Sequence, residues 1–406
     1  MYLSYFDKFY DMEPYLFIDE VEWEYIKNTF DKQDVRESLA KVAMTYPPPY
    51  MDISEKDALK QLQKLKGMRH NEILVEGEWF AREGTEYRYD LTFEGKQQYF
   101  KRNNTGNDSS NYFQQKNRWS VDGTIAPGPH RTWESHKFMT TLIGSAYSLK
   151  LPKIDKSAFR VMIGLRKYIC SQFKPNVAKV LYDKLESKSI LDFSAGWGDR
   201  LAGFYASETG ESYLGIDPRK ENHPIYEEQK QFYEKHRTMF EVPKKSMFVE
   251  YPAEDFEYQK NMYDTVFTSP PYFSVERYSY DDTQSWVRYK DIDTWNTQFL
   301  QKTLEKIWPS IKRGGYLLVN IADVFARTGG QRNMVEICNP MNNFLSTFHD
   351  SEYKGCIGME MAKRPNSGGA GMARESDERF QDSTIQRAEE TKDKRFCEPI
   401  WIWRKL

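Results

Sequence analysis

The alternation of apolar and polar positions changes character near residue 150. Before it, Glu20–Met44 and Asp57–Leu65 carry apolar residues three and four apart, the spacing of amphipathic helices, and Pro47–Pro49 interrupts them. Residues 72–100 alternate with the period of two that predicts strands and hairpins. Residues 103–130 are rich in Asn, Ser, Gly and Pro and predict a loop. After residue 157, short apolar runs alternate with longer helical stretches, the texture of βαβ units and a largely parallel sheet. Runs at Ser189–Asp192, Tyr213–Asp217, Met247–Glu250, Tyr263–Thr268 and Gly314–Asn320 predict five strands, and Trp295–Trp308 predicts a helix. Residues 353–362 and 398–404 predict a closing antiparallel pair, with a long mobile loop at 364–397. The expected organisation is an N-terminal α+β region at 1–150 and an α/β domain at 151–406.

Composition narrows the function classes. The 406 residues carry a formal charge of −2, and no apolar run approaches the ~18 residues of a membrane span. The first residues, MYLSYFDKFYDMEPY, lack the apolar core of a secretory signal. Cys170, Cys338, Cys356 and Cys397 stand at no metal-ligand spacing, so no metal site and a reducing cytoplasm are expected. An aromatic content of 15% argues for a folded chain with many stacking surfaces. Charge is uneven: residues 1–60 hold 13 acidic and 7 basic side chains, whereas 101–150 hold 3 acidic and 7 basic. In the basic stretch Lys101, Arg102, Lys116 and Arg118 lie among Tyr99, Phe100, Tyr112, Phe113 and Trp119. Cations neutralise phosphates and aromatic faces stack on bases, so this stretch is a candidate nucleic-acid surface; the alternative is an irregular region whose aromatics fill a small core.

The chemistry concentrates in the second half. Ser189–Asp192 enters the turn Phe193–Ser194–Ala195–Gly196–Trp197–Gly198 and then a helical run. Glycines there let backbone approach a ligand without a Cβ collision. The next strand ends in Asp217, 25 residues after Asp192, where a ribose is held by its hydroxyls. Position 201 is Leu, so the pyrophosphate pattern G-x-G-x-x-G is absent and a nucleoside cofactor fits better than NAD. Glu254 and Asp255, after the third strand, are candidates for an adenine amine. The fourth strand runs into Ser269–Pro270–Pro271–Tyr272–Phe273. Two prolines stop the strand and remove two donors. That leaves the Ser269 hydroxyl and a proline carbonyl as two acceptors for a planar amino group, with Tyr272 as a flat face for its ring.

Asp-Phe-Ser-Ala-Gly-Trp-Gly resembles motif I of class I S-adenosylmethionine-dependent methyltransferases. Thr-Ser-Pro-Pro-Tyr resembles motif IV of the DNA amino-methyltransferases acting on cytosine N4 or adenine N6, and Phe173–Ala178 resembles their motif X. The similarity covers about residues 157–406. It implies a Rossmann-like, mostly parallel sheet with an antiparallel last strand, and S-adenosyl-L-methionine as cofactor. By position, Phe173, Pro175, Asp192, Ser194, Gly196, Gly198, Asp217 and Glu254 or Asp255 would surround that cofactor. Ser269, Pro270, Pro271 and Tyr272 would hold the target base, with Phe273 as a second stacking face. The implied partner is DNA, cytosine N4 being favoured over adenine N6. An RNA base amine, or a degenerate fold that only binds nucleic acid, are the competing readings. Recognition is expected from residues 1–150, with 273–294 and 364–397 as further candidates.

Overall fold

A computed structural model describes residues 2–81, 86–124, 126–328, 331–361 and 394–406. The chain forms two compact units, and the division is not one cut: the first comprises Met1–Ser54, Asn111–Gln172 and Glu276–Tyr280, the second Glu55–Ser110, Phe173–Val275 and Asp281–Leu406.

The second unit is built on one sheet. Its seven principal strands are β1 (Ser189–Asp192), β2 (Ser212–Ile216), β3 (Lys245–Val249), β4 (Tyr263–Thr268), β5 (Ile311–Asn320), β6 (Ser351–Glu360) and β7 (Arg395–Lys405). They lie in the order β3-β2-β1-β4-β5-β7-β6. All neighbours from β3 to β5 are parallel, while β7 runs antiparallel to both β5 and β6. Parallel strands are covered on both faces, which is why consecutive apolar residues stand at their centres (Ile190–Leu191, Val266–Phe267 and Leu317–Val319) where an exposed strand would alternate. Ile190, Leu191, Val266, Phe267, Leu317, Leu318 and Val319 are fully buried there. This is the expected Rossmann-like sheet with its reversed last strand.

The strands expected within 72–100 also belong to this sheet. Gln98–Phe100 adds to β6 in parallel, Leu74–Glu76 pairs antiparallel to it, and Trp79–Phe80 pairs with the start of β7. Of the expected loop at 364–397, residues 364–393 lie outside those described, and Arg395–Cys397 are already part of β7.

The first unit is mainly helical: Glu20–Thr29, Lys32–Ala43, His136–Ser148 and Lys156–Arg166 enclose a core that includes Phe6, Trp23, Leu39, Ile143 and Phe159. Asp19, Asp31 and Asp155 cap three of these helices by accepting from backbone N–H groups two or three residues on. Its only ladder among the described residues joins Asp122–Gly123 to Glu276–Arg277.

One segment corrects the sequence reading. Asn107–Trp119 is a helix of 13 residues and not a loop. Apart from Trp119 at its end, its buried positions are polar: Ser109, Ser110, Asn111, Gln114, Gln115 and Arg118. Their bonds are made inside the protein: Gln115 exchanges two bonds with the Met51 backbone, and Ser110 donates to Asp199. A helix that buries amides and hydroxyls leaves no apolar periodicity to read.

Candidate active site

In the sheet order, β1 has β2 on one side and β4 on the other, so the order reverses between β1 and β4. Ligands of open α/β sheets bind outside the carboxyl ends of the strands at such a switch point. The two loops meeting there are the glycine turn after β1 and the Ser-Pro-Pro-Tyr turn after β4. The pairs Ile190–Thr265 and Leu191–Val266 fix their register.

The glycine turn is shaped by two left-handed residues, Gly196 at φ +58° and Gly198 at φ +70°. Their reasons differ. A Cβ on Gly198 would come within 2.5 Å of the Gln229 Oε1, so this glycine admits a neighbouring helix. A Cβ on Gly196 would meet only the Ser194 carbonyl, at 3.7 Å, so the space above this glycine is open. Asn222 and Tyr226 hold the Gly196 carbonyl at 3.0 and 2.5 Å, and Tyr226 stacks on Phe248 with ring centroids 4.1 Å apart.

Asp217 follows β2 and is 7% exposed. One oxygen accepts from the Gly196 N–H at 2.9 Å, the other from the Arg219 N–H at 2.9 Å. Each carboxylate oxygen has a further lone pair for a ligand hydroxyl. Burial raises this carboxyl above the ordinary aspartate value, opposed by those two N–H groups and by the charges of His223 and Arg219.

Asp192 is placed differently from expectation. It is fully buried and committed within the protein: Arg200 Nε donates at 2.7 Å, Arg200 Nη2 at 3.2 Å and the Tyr213 hydroxyl at 2.7 Å. Arg200 also donates to the Ser194 carbonyl, so Asp192 and Arg200 together set the shape of the turn. Its guanidinium lies 5.0 Å from the Phe173 ring, which in turn meets Phe267 edge-on at 5.5 Å. Pro175 sits buried at the first turn of the helix Pro175–Lys184. Phe173 is thereby held against the base of the switch point.

The acids after β3 are likewise occupied. Arg288 Nη1 donates to Glu254 at 2.9 Å and to Asp255 at 2.6 Å, and Lys302 reaches Asp255 at 3.0 Å. The Tyr289 hydroxyl completes Glu254 at 3.2 Å. Burial raises the Glu254 carboxyl. At Asp255 burial pulls the same way, but Arg288 and Lys302 outweigh it and leave the carboxyl below its ordinary value. Sequence reasoning missed Arg288, which stands in no motif and lies more than 30 residues beyond the acids.

Ser269 and Tyr272 are half-buried and Pro270 is buried. No hydrogen bond among the described residues engages the Ser269 hydroxyl, and the Thr268 hydroxyl is buried without a partner. The Tyr272 hydroxyl lies 3.5 Å from the Asn320 carbonyl at the end of β5. Phe273 adopts φ +51°, an unfavourable conformation for a bulky residue. Strained backbone of this kind concentrates at functional sites. Phe273 is itself 1% exposed and meets Trp295 edge-on at 6.2 Å, so it anchors the turn in the core and offers no face to a base. That corrects its expected stacking role.

No family profile matches the chain, and no curated protein is similar to it in sequence. Among solved structures, an S-adenosylmethionine-dependent methyltransferase from Methanosarcina mazei is similar over 54% of this chain and 93% of its own, with 12% identity and a TM-score of 0.33. A second, from Archaeoglobus fulgidus, matches at 11% identity over 61% of this chain and 99% of its own, with a TM-score of 0.34. The tRNA (m1A58) methyltransferase TrmI from Aquifex aeolicus matches at 14% identity over 58% and 71%, with a TM-score of 0.32. The strand order itself is that of a Rossmann-like, mostly parallel sheet with a reversed last strand.

The basic candidates are divided between the two units. Lys101 and Arg102 are exposed on the second unit and Lys116 is exposed on the first. Arg118 is 8% exposed and donates to the Cys170 carbonyl and to Asn111, each at 2.8 Å. It is a structural cation, which corrects its expected phosphate role. The segment 273–294 is also divided: Glu276–Tyr280 belongs to the first unit, where buried Glu276 accepts from the Tyr168 and Tyr278 hydroxyls.

Proposed function

We propose that this chain transfers a methyl group from S-adenosyl-L-methionine to an exocyclic amino group of a DNA base, cytosine N4 in preference to adenine N6. The observation that carries the reading is the Ser269–Tyr272 turn at the end of β4, strained at Phe273 and adjacent across the switch point to the open face of Gly196. The residues present fit the cofactor: the space above Gly196 would take its methionine part, Asp217 its ribose hydroxyls, and Phe173 one wall. Asp192, Glu254 and Asp255, being committed to Arg200 and Arg288, act on the pocket through those arginines. When bound, S-adenosylmethionine supplies an electrophilic methyl on a sulfonium.

The Ser269 hydroxyl oxygen and the Pro270 carbonyl accept the two hydrogens of the target amine and draw its lone pair out of ring conjugation. With the cofactor bound, the nitrogen held by Ser269 and Pro270 would take its methyl, the thioether product would be the leaving group, and the displaced amine proton would pass to solvent. Positioning supplies most of the rate. All four cysteines are buried, and Tyr272 follows the prolines where a C5-methylating enzyme would need a thiol. A duplex target must be unstacked, and the Tyr272 face offsets part of that cost.

Two measurements test the reading. Tritium transfer from labelled cofactor is expected with DNA and not with protein alone; transfer confined to RNA would move the substrate class. Calorimetry on Asp217→Ala is expected to show cofactor affinity weakened by about 1–3 kcal/mol, the cost of leaving polar partners unpaired. In the wild type, affinity should fall as pH is lowered through the Asp217 pKa, because only the ionised carboxyl accepts from both ribose hydroxyls. That fall should begin at higher pH than an exposed aspartate would give, and it should vanish in Asp217→Asn. The stability term has the opposite sign: a raised folded-state pKa favours the fold below the unfolded value, and that contribution is lost as pH rises through the folded one.

A further inference from the structure

The first unit contains a cationic cavity that the methyl-transfer reading does not use. It has a volume of about 360 Å³ and lies between the helices Lys32–Ala43, His136–Ser148 and Lys156–Arg166. Its lining holds Lys32, Arg36, Arg166 and Lys167, the hydroxyls of Thr141 and Ser148, and no carboxylate. None of the four cations forms an ion pair among the described residues. Neither acid of the Lys32–Ala43 helix, Asp34 or Glu37, lines the cavity; Asp31 caps the helix, and Glu37 accepts from the Gln33 side chain at 2.8 Å.

The cations are held in place by neutral partners. Arg36 Nε donates to the Thr140 carbonyl at 3.2 Å and Nη1 to Gln33 at 3.0 Å. Its guanidinium lies so close over Gly144 that a Cβ there would approach Nε within 2.8 Å. Arg166 Nη2 reaches the Ser148 hydroxyl at 3.4 Å, and Lys167 Nζ the Phe138 carbonyl at 3.3 Å. The Lys32 ammonium sits 4.9 Å from the Tyr147 ring. Four positive charges around one cavity repel each other, and Arg36 and Lys167, which are half-buried, lose hydration without an ion partner among the described residues. Burial accordingly lowers the Lys167 ammonium below the ordinary lysine value. An oxyanion would relieve both costs, and it would find charged donors and hydroxyls converging on it.

We infer that this cavity is a phosphate-binding site, formed by Lys32, Arg36, Arg166 and Lys167 on the first unit. The inference does not depend on the methyl-transfer reading. A phosphate could come from a nucleic-acid backbone or from a free phosphorylated ligand, and competition separates the two. Titrating inorganic phosphate into the full chain, followed by phosphorus NMR and calorimetry, is expected to show saturable binding. Arg166→Gln with Lys167→Gln should weaken it about 100-fold, taking about tenfold for each charge-assisted contact. Thr141→Glu sets a carboxylate among the cations from an exposed position and should abolish binding with an unchanged melting temperature. If a single-stranded oligonucleotide displaces the phosphate, the site reads backbone; if it does not, the site takes a free oxyanion. Absence of saturable binding, or binding unaltered in both variants, would overturn the assignment.

Discussion

Asp192→Ala is expected to destabilise the second unit by about 3–5 kcal/mol, the cost of stranding a buried charge when its partner is removed. Asp192 is 0% and Arg200 3% exposed, and two of the three groups donating side-chain hydrogen bonds to Asp192 belong to that arginine. Truncation leaves the guanidinium with the Ser194 carbonyl as its remaining acceptor and the Tyr213 hydroxyl with none on that side. Urea denaturation would measure the loss. An apolar double replacement, Asp192→Leu with Arg200→Met, should recover most of the stability, since removing both charges removes the desolvation penalty. It should not recover cofactor affinity, because the Ser194–Gly196 turn loses the arginine that shapes it. Affinity restored together with stability would mean that the pair has no part in forming the turn.

The second large effect is expected at Tyr272. Tyr272→Ala removes the flat face beside the two acceptors and leaves the glycine turn untouched. Stacking of a base on an aromatic ring contributes about 1–3 kcal/mol, so transfer should fall by about 5- to 150-fold. Calorimetric affinity for S-adenosylmethionine should stay within twofold of the wild type. Tyr272→Phe should keep most of the activity, because it keeps the ring face, and the hydroxyl's contact to the Asn320 carbonyl is long, at 3.5 Å. A Phe variant as impaired as the Ala variant would assign the role to the hydroxyl and contradict stacking.

The elements that position the site were legible because parallel strands buried on both faces announce themselves as apolar runs. β1, β2, β4 and β5 each end within a few residues of the expected place, and the glycine and proline turns mark their carboxyl ends. What could not be read is where polar groups find their partners. Asp192 and Arg200 are eight residues apart across a turn, and Arg288 reaches Glu254 and Asp255 from a distant loop. Such pairings are tertiary and leave no periodic trace. The helix Asn107–Trp119 was hidden for the same reason, its buried face being amides and hydroxyls. Arg118 shows the corresponding limit of composition: a cation among aromatics reads as a phosphate contact, but here it closes bonds in the interior of its own unit. The cationic cavity drew no attention in the sequence because its residues come from three helices, one of them within the most acidic stretch of the chain.

The central claim is that an amino group of a DNA base receives the methyl. It is tested most directly by incubating the chain with methyl-labelled S-adenosylmethionine and DNA, digesting the DNA to nucleosides and identifying the labelled one by mass spectrometry. The account predicts label on N4-methyldeoxycytidine, reduced about 5- to 150-fold with Tyr272→Ala at matched times. Label on N6-methyldeoxyadenosine would overturn the choice of base, and DNA without label while RNA or protein carries it would contradict the account.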